Sequence, residues 1–334
     1  MLKLQCDVEF QIVAISDALK GSLYDPKGLD IARTLETVKN TGKLYDYPGG
    51  SEVRKGWNSL QTIRESNADT IVEVTFTNIQ TGQPAIDHCR AAFEAGKNVV
   101  TSNKGPVALK YVELSALARE NNVLWGIEGT VMSGTPTLRM AEVTLTGNDI
   151  YEIRGILNGT TNYILSLMEQ GTSFEEALVT AQKHGYAEAD PTSDIEGYDA
   201  MYKAVILANV VMGLPLTPDQ VSCCGITNIN PVDIEKAKVE GKRWKLIAHI
   251  SKEGDTVNAS VSPEMLPLDD PLAGVIGTTN AITYNCDLIG PVTVMGAGAG
   301  RKETGFSLLI DLINFVREQK YTHSVSDRRT TIDV

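Results

Sequence analysis

Through the first 127 residues, short apolar runs alternate with segments of helical length, and this alternation restricts the fold more than any other feature. Residues 70–75 (TIVEVT), 98–101 (NVVT) and 123–127 (VLWGI) are strand-like, with helical patterns over 84–95 and 112–121 between them. Such alternation builds a parallel sheet with helices on its faces, because parallel strands must be joined by crossovers that cover the sheet. Residues 8–15 (VEFQIVAI), leading into Ser16 and Asp17, read as a further buried parallel strand tipped by an acidic residue. Residues 1–129 are therefore expected to form most of a doubly wound, Rossmann-type nucleotide-binding domain.

That domain is expected to be incomplete. A dinucleotide fingerprint places a strand and a glycine turn about 20 residues ahead of the acidic residue that takes the ribose hydroxyls. Only residues 1–16 precede Asp17, and they contain no G-x-G-x-x-G. Residues 1–7 (MLKLQCD) have room for the tail of a first helix at most, since a βαβ unit takes roughly 30 residues or more. Either Met1 is internal to that helix, or the pyrophosphate cradle has been lost. The first is favoured, because deleting a central strand strands buried backbone groups.

Beyond residue 129 the rhythm changes. Residues 150–158 and 257–261 look like strands, and 163–168, 173–184 and 195–211 like helices, so residues 130–294 are expected to form an α+β substrate and dimerisation domain. Residues 295–320 are expected to return to the first domain as a C-terminal helix, opened by the glycine-rich segment 296–300, ahead of a polar tail over 321–334.

The net charge of −12 disfavours nucleic acid and anionic membranes as partners. No signal-peptide pattern or bilayer-length apolar run is visible, so a cytoplasmic location is expected. The five cysteines show neither a zinc spacing nor a disulfide framework, and none has a setting that suits a catalytic nucleophile.

Chemistry concentrates in residues 185–203, GYAEADPTSDIEGYDAMYK. If Ile195 opens a helix capped by Asp194, then Glu196, Asp199 and Lys203 share one face, above the apolar stripe of Ala204, Leu207, Ala208 and Val211. An isolated Asp–Lys pair is usually a surface ion pair. Here the surrounding carboxylates would repel one another unless a cationic group docked among them, and the ammonium of an amino acid is such a group. Lys104, in TSNKGPV just past the strand 98–101, stands where ligands bind in parallel sheets, although a solvated loop lysine is equally compatible with that position. The segments EGTVMSGTPT (128–137), GILNGTTNY (155–163) and GAGAG (296–300) suit close backbone approach, and each alone is equally compatible with an ordinary turn.

In this order, SNKGP, EGTVMSGTP, GILNGTTNYIL, GYAEADP, DIEGYDAMYK and GAGAG with Thr304 resemble the motifs of homoserine dehydrogenases in their compact, monofunctional form, over nearly the whole chain. The resemblance implies NAD(P)-dependent interconversion of L-homoserine and L-aspartate 4-semialdehyde, in the threonine, methionine and isoleucine branch of aspartate-family biosynthesis. It implies Lys203 as proton shuttle with Lys104 beside it and Asp199 as their partner. Glu188, Asp194 and Asp199 would hold the substrate, with Gly159, Thr160 and Tyr186 as further substrate positions. Asp17, Thr75, Asn103, Lys104 and Gly300 would contact the cofactor. A monovalent cation such as sodium would lie on main-chain oxygens at Glu128, Val131, Ser133 and Thr135, and the protein would be a homodimer. An acidic Asp17 favours NAD over NADP. The competing possibilities are a dehydrogenase for another amino acid or hydroxy acid, and a silent homoserine-binding homologue without a pyrophosphate cradle.

Overall fold

The computed structural model describes residues 8–254 and 256–326, with side chains described as far as residue 318. Residues 1–7, read above as the tail of a helix, lie outside the described residues. The described residues form three sheets.

The first sheet corrects the expected parallel strand over 8–15. β1 (Ala14–Asp17) turns back immediately and pairs antiparallel with β2 (Gly21–Tyr24), which pairs antiparallel with β3 (Arg54–Lys55). The turn is local chemistry: Asp17 Oδ1 accepts from Leu19 N and Lys20 N, each at 2.8 Å, and Gly21 takes φ +92°. Residues before β1 bond to a loop instead, through Asp25 N to Val13 O and Leu29 N to Ile12 O. Helix α1 (Ile31–Thr41) follows β2, and α2 (Ser59–Glu65) follows β3.

The second sheet is the parallel one, with order β4 (Thr70–Glu73), β5 (Asn98–Thr101), β6 (Trp125–Gly126). Its crossovers are α3 (Ala85–Glu94) and α4 (Lys104–Glu120), which bury Cys89, Ala92, Phe93 and Leu114 with Val99 in one core. Helix α4 starts eight residues earlier than the pattern over 112–121 predicts, since Asn103 caps it and Pro106 falls in the first turn, where no N–H is needed. A kink at Lys110, with φ −141°, hides the continuity from the sequence pattern.

The third sheet has six strands in the order β12-β11-β7-β9-β10-β8. These are β7 (Ile150–Ile156), β8 (Ser222–Cys223), β9 (Lys242–Glu253), β10 (Thr256–Pro267), β11 (Thr279–Cys286) and β12 (Gly290–Ala297). Only β7 and part of β10 were expected from the sequence. Helices α5 (Gly159–Met168), α6 (Phe174–Lys183), the short α7 (Thr192–Ile195), α8 (Tyr198–Val210) and α9 (Pro231–Val239) accompany it. Helix α8 packs on α4 as well as on β9 and β10. Val205, Ile206 and Leu207 are wholly buried there, each contributing about 1.5–3 kcal/mol of burial.

The expected helix from Ile195 with an Asp194 cap is also corrected. Gly197, at φ +85°, interrupts the helix between α7 and α8, so Glu196 leaves the shared face and Asp199 falls in the first turn of the new helix. Residues 296–297 end β12 rather than opening a helix. The last helix, α10, spans Arg301–Ser326, so the expected tail is helical as far as residue 326 and lies outside the described residues beyond it.

Asp311 on α10 ties these parts together. Its Oδ2 accepts from Glu128 N at 3.1 Å, and its Oδ1 faces Arg139 at 3.2 Å. Burial, with the Glu128 charge adding to it against the Glu128 N–H and Arg139, pushes its carboxyl up to about 7. A raised carboxyl contributes stability below its ordinary pKa and loses it as pH rises through 7. Asp311→Asn is therefore expected to gain melting temperature relative to the unsubstituted protein between about pH 5 and pH 8, by a difference worth a few kcal/mol. A difference that stays constant or shrinks across thermal melts at those pH values contradicts this.

Candidate active site

The site is built where α4 meets α8. Asp199 and Lys203 are one helical turn apart in α8, and Lys203 Nζ donates to Asp199 Oδ2 at 2.7 Å and to Leu157 O at 2.6 Å. Lys104, the first residue of α4, brings a second ammonium to the other carboxylate oxygen, 3.5 Å from Oδ1. Being the first residue of a capped helix rather than part of a free loop fixes its origin. Lys203 keeps only 9% of its side chain exposed, against 24% for Lys104, so the first ammonium is enclosed and the second is partly open to solvent.

Burial alone would push the Asp199 carboxyl up, but the two lysines and Asn158 hold it well below the ordinary carboxylate range. Asp194 is the opposite case. Burial and the charge of Asp199 push its carboxyl up, against a hydrogen bond from Asn158 and the charge of Lys203. Asn158 is the link between them, donating through Nδ2 to Asp194 Oδ1 at 2.7 Å and Asp199 Oδ2 at 2.9 Å. Its Oδ1 accepts from Thr161 N at 2.9 Å and so caps α5. Sequence reasoning missed Asn158, although an Asn ahead of Gly-Thr-Thr and an apolar run is a helix-capping signal.

Gly159 and Thr160 form the first turn of α5, and Thr160 Oγ1 donates to Tyr186 O at 2.6 Å. The Tyr186 ring packs edge-on against Tyr163, 5.0 Å between centroids, beside His184. Glu188 is not brought into the cluster: its side chain is exposed and makes no hydrogen bond or ion pair with a described residue.

On the parallel sheet, Thr75 and Asn103 follow the carboxyl ends of β4 and β5 and are joined, Asn103 Nδ2 donating to Thr75 O at 3.1 Å. The Thr75 hydroxyl donates to buried Glu73. Although burial opposes it, hydrogen bonds from His88 and Thr75 hold that carboxyl below its usual range. Gly300 stands between β12 and α10 with φ +139°, which disfavours any side chain. Among the described residues the Asp17 side chain bonds only within its own turn, with Lys20 Nζ 3.4 Å from Oδ2.

The residues expected at a cation lie on one turn. Met132 and Ser133 are consecutive left-handed residues in it, at φ +55° and +50°. The Glu128 carboxylate is already committed to Thr137 N at 2.6 Å and Arg139 N at 2.8 Å, and Val131 O accepts from Thr137 Oγ1 at 3.1 Å. Ser133 Oγ meets Thr304 Oγ1 at 2.9 Å, and Thr135 Oγ1 donates to Ala297 O at 3.0 Å. Among the described residues, no group of three or more His, Cys, Asp or Glu could hold a metal ion. Nor is any helix among them long and apolar enough to cross a membrane.

Comparison with known proteins places nearly the whole chain beside one family. A family model described as homoserine dehydrogenase matches residues 136–313. The NAD(+)-dependent homoserine dehydrogenase of Pseudomonas canavaninivorans is 46% identical over 325 residues, covering 96% of this chain and 92% of that protein. The homoserine dehydrogenase of Methanocaldococcus jannaschii is 44% identical over 313 residues, covering 93% and 90%. Among solved structures, a hyperthermophilic archaeal homoserine dehydrogenase in complex with NADPH superposes with a TM-score of 0.79 at 29% identity, covering 95% of this chain and 92% of that one.

Proposed function

The chain belongs to the homoserine dehydrogenases, and from that premise we propose that the Lys104–Asp199–Lys203 cluster is where L-homoserine and L-aspartate 4-semialdehyde are interconverted. The protein is an NAD(P)-dependent oxidoreductase of amino-acid biosynthesis acting on a CH–OH group. The observation that carries the assignment of the site is one carboxylate, Asp199, shared by two ammonium groups from two helices, beside the carboxyl ends of β4 and β5.

Oxidation of the alcohol removes a hydride and a proton, so a base must meet the hydroxyl. Lys203 is that group, accepting the proton in its neutral form and returning it to the aldehyde oxygen in the reverse direction. Asp199 and Leu157 O fix its nitrogen in place, and Lys104 supplies positive charge where the oxygen becomes negative. Asp194 is suited to the substrate ammonium, with Glu188 turning in from its exposed position to meet it once substrate is bound, and Gly159, Thr160 and Tyr186 to its carboxylate end, where α5 presents main-chain N–H groups. A nicotinamide cofactor along Thr75, Asn103, Lys104 and Gly300 supplies the hydride acceptor. The glycine at 300 and the open carboxyl ends of the parallel strands fit that group.

Ionised Asp17 supports NAD over NADP, because its carboxylate is held below the ordinary range by the N–H groups of Lys20 and Leu19 and would repel a 2′-phosphate. A monovalent cation such as sodium at Glu128, Val131, Ser133 and Thr135 is supported by the left-handed turn through Met132, where Val131 O accepts one hydrogen bond, from Thr137 Oγ1, among the described residues and a carbonyl has two lone pairs. Homodimerisation through the middle unit is supported by exposed Leu288, Ile289 and Met295 near edge strand β12.

The test is turnover. Homoserine with NAD is expected to yield reduced cofactor, faster than with NADP, and faster than L-aspartate or a 2-hydroxy acid in the same assay. Asp17→Ala is expected to lower the NAD-to-NADP ratio of kcat/KM by about tenfold. Preference for another substrate would overturn the assignment. A silent binding homologue finds no support among the relatives, which are dehydrogenases.

A further inference from the structure

Between the first turn of α5 and the glycine-rich segment 296–300 lies a carboxamide with nothing to bond. Asn280, the second residue of β11, is 0% exposed, and neither its Oδ1 nor its Nδ2 has a hydrogen-bond partner among the described residues. It is wedged between two glycines. A Cβ on Gly298 would fall 2.3 Å from the amide carbon and 2.4 Å from each of its polar atoms, and one on Gly159 would fall 3.3 Å from Oδ1 and 2.7 Å from Thr278 O. A side chain at position 298 would collide with the amide, and one at 159 with the main chain just before it.

One side of this wedge is rigid. Lys245 on β9, wholly buried, donates to Val275 O at 2.6 Å and to Asn162 Oδ1 at 3.1 Å. Asn162 in turn donates to Thr279 O at 3.1 Å and Val275 O at 3.3 Å, and Ser166 Oγ accepts from Gly277 N at 3.2 Å. The strand start that carries Asn280 is thereby fastened to β9 and α5. The other side is partly exposed: Gly296 and Ala297 still pair with Asn280 and Thr279 at the end of β12, whereas residues 298–300, glycine at 298 and 300, lie beyond that pairing.

A buried amide without partners is costly, and a leucine of similar size would fill the same space without that cost. What leucine lacks is the donor and acceptor pair, which matches the C=O and N–H of a peptide unit. Resting on the reading of this cleft as a homoserine dehydrogenase site, we propose that Asn280 is a positioning residue. Its amide is reserved for the ligand-bound protein, where it pairs with the main chain of segment 296–300 as that segment settles on substrate and cofactor.

Thermal melts and steady-state kinetics of Asn280→Leu test this. The free variant is expected to melt at or above the unsubstituted protein. Its rise in melting temperature on adding homoserine and NAD should be largely lost, and its KM for homoserine should rise tenfold or more. A lower melting temperature with an unchanged ligand-induced rise and KM is what a purely structural role gives, and it overturns the proposal. Asn280→Ala adds no bulk and guards against a folding failure of the leucine variant. It too must lose the ligand-induced rise, and its retention would sink the idea. Failure of the unsubstituted protein to turn over homoserine refutes the underlying reading, whereas normal turnover with unaltered variants refutes the role of Asn280 alone.

Discussion

Lys203→Ala is expected to lower kcat by about 10²- to 10⁴-fold while the protein stays folded. Asp199 would keep Lys104 and Asn158 as partners, so the carboxylate is not abandoned when the nearer ammonium is removed. The main-chain oxygen of Leu157 loses its donor, a modest structural change. Lys203→Arg is expected not to restore the oxidation rate. A guanidinium keeps the charge near Asp199 but does not give up its proton at working pH, so it cannot act as the base. Homoserine binding should survive in both variants, since the groups suited to its ammonium are left in place. Steady-state kinetics with a melting curve check the prediction, and a kcat within tenfold of the unsubstituted protein in Lys203→Ala would remove Lys203 from the reaction.

Asp199→Asn should do more damage to the structure. It leaves two ammonium groups, Lys104 and Lys203, around a neutral amide in a site where the carboxylate is only 16% exposed. Removing one partner of a buried pair costs about 3–5 kcal/mol, and the partial exposure of Lys104 places this case toward the low end. The pH dependence has a definite sign. A carboxyl held below its unfolded pKa contributes stability above that value and loses it as pH falls, so the gap between variant and unsubstituted protein should be full near neutrality and close toward acid. Denaturant melts at several pH values read it directly. A gap that widens toward acid would mean that the lysines do not stabilise ionised Asp199. Turnover should fall as well, because Lys203 loses the partner that aims its nitrogen.

Much of this was legible in the sequence where period and spacing carry the information. The parallel strands at residues 70–73 and 98–101 and the helix beginning near residue 85 follow from alternation, and Asp199 and Lys203 meet because they are four residues apart on a helix. Lys104 could be placed at the end of its strand but not against Asp199, since that contact depends on how α4 packs on α8. The hairpin at Asp17 was misread because an aspartate capping its own turn has the same local signature as one ending a parallel strand. The break at Gly197 was missed because a single left-handed glycine leaves the apolar stripe beyond it intact. Asn158 and Asn280 are legible only in three dimensions, one through the two carboxylates it bridges and the other through the bonds it does not make.

A crystal structure of the protein with homoserine and a nicotinamide cofactor tests the central claim most directly. The substrate hydroxyl is expected within hydrogen-bonding distance of Lys203 Nζ, with the substrate ammonium among the carboxylates before α8. Homoserine bound elsewhere, with Lys203 still turned only toward Asp199 and Leu157, would contradict it.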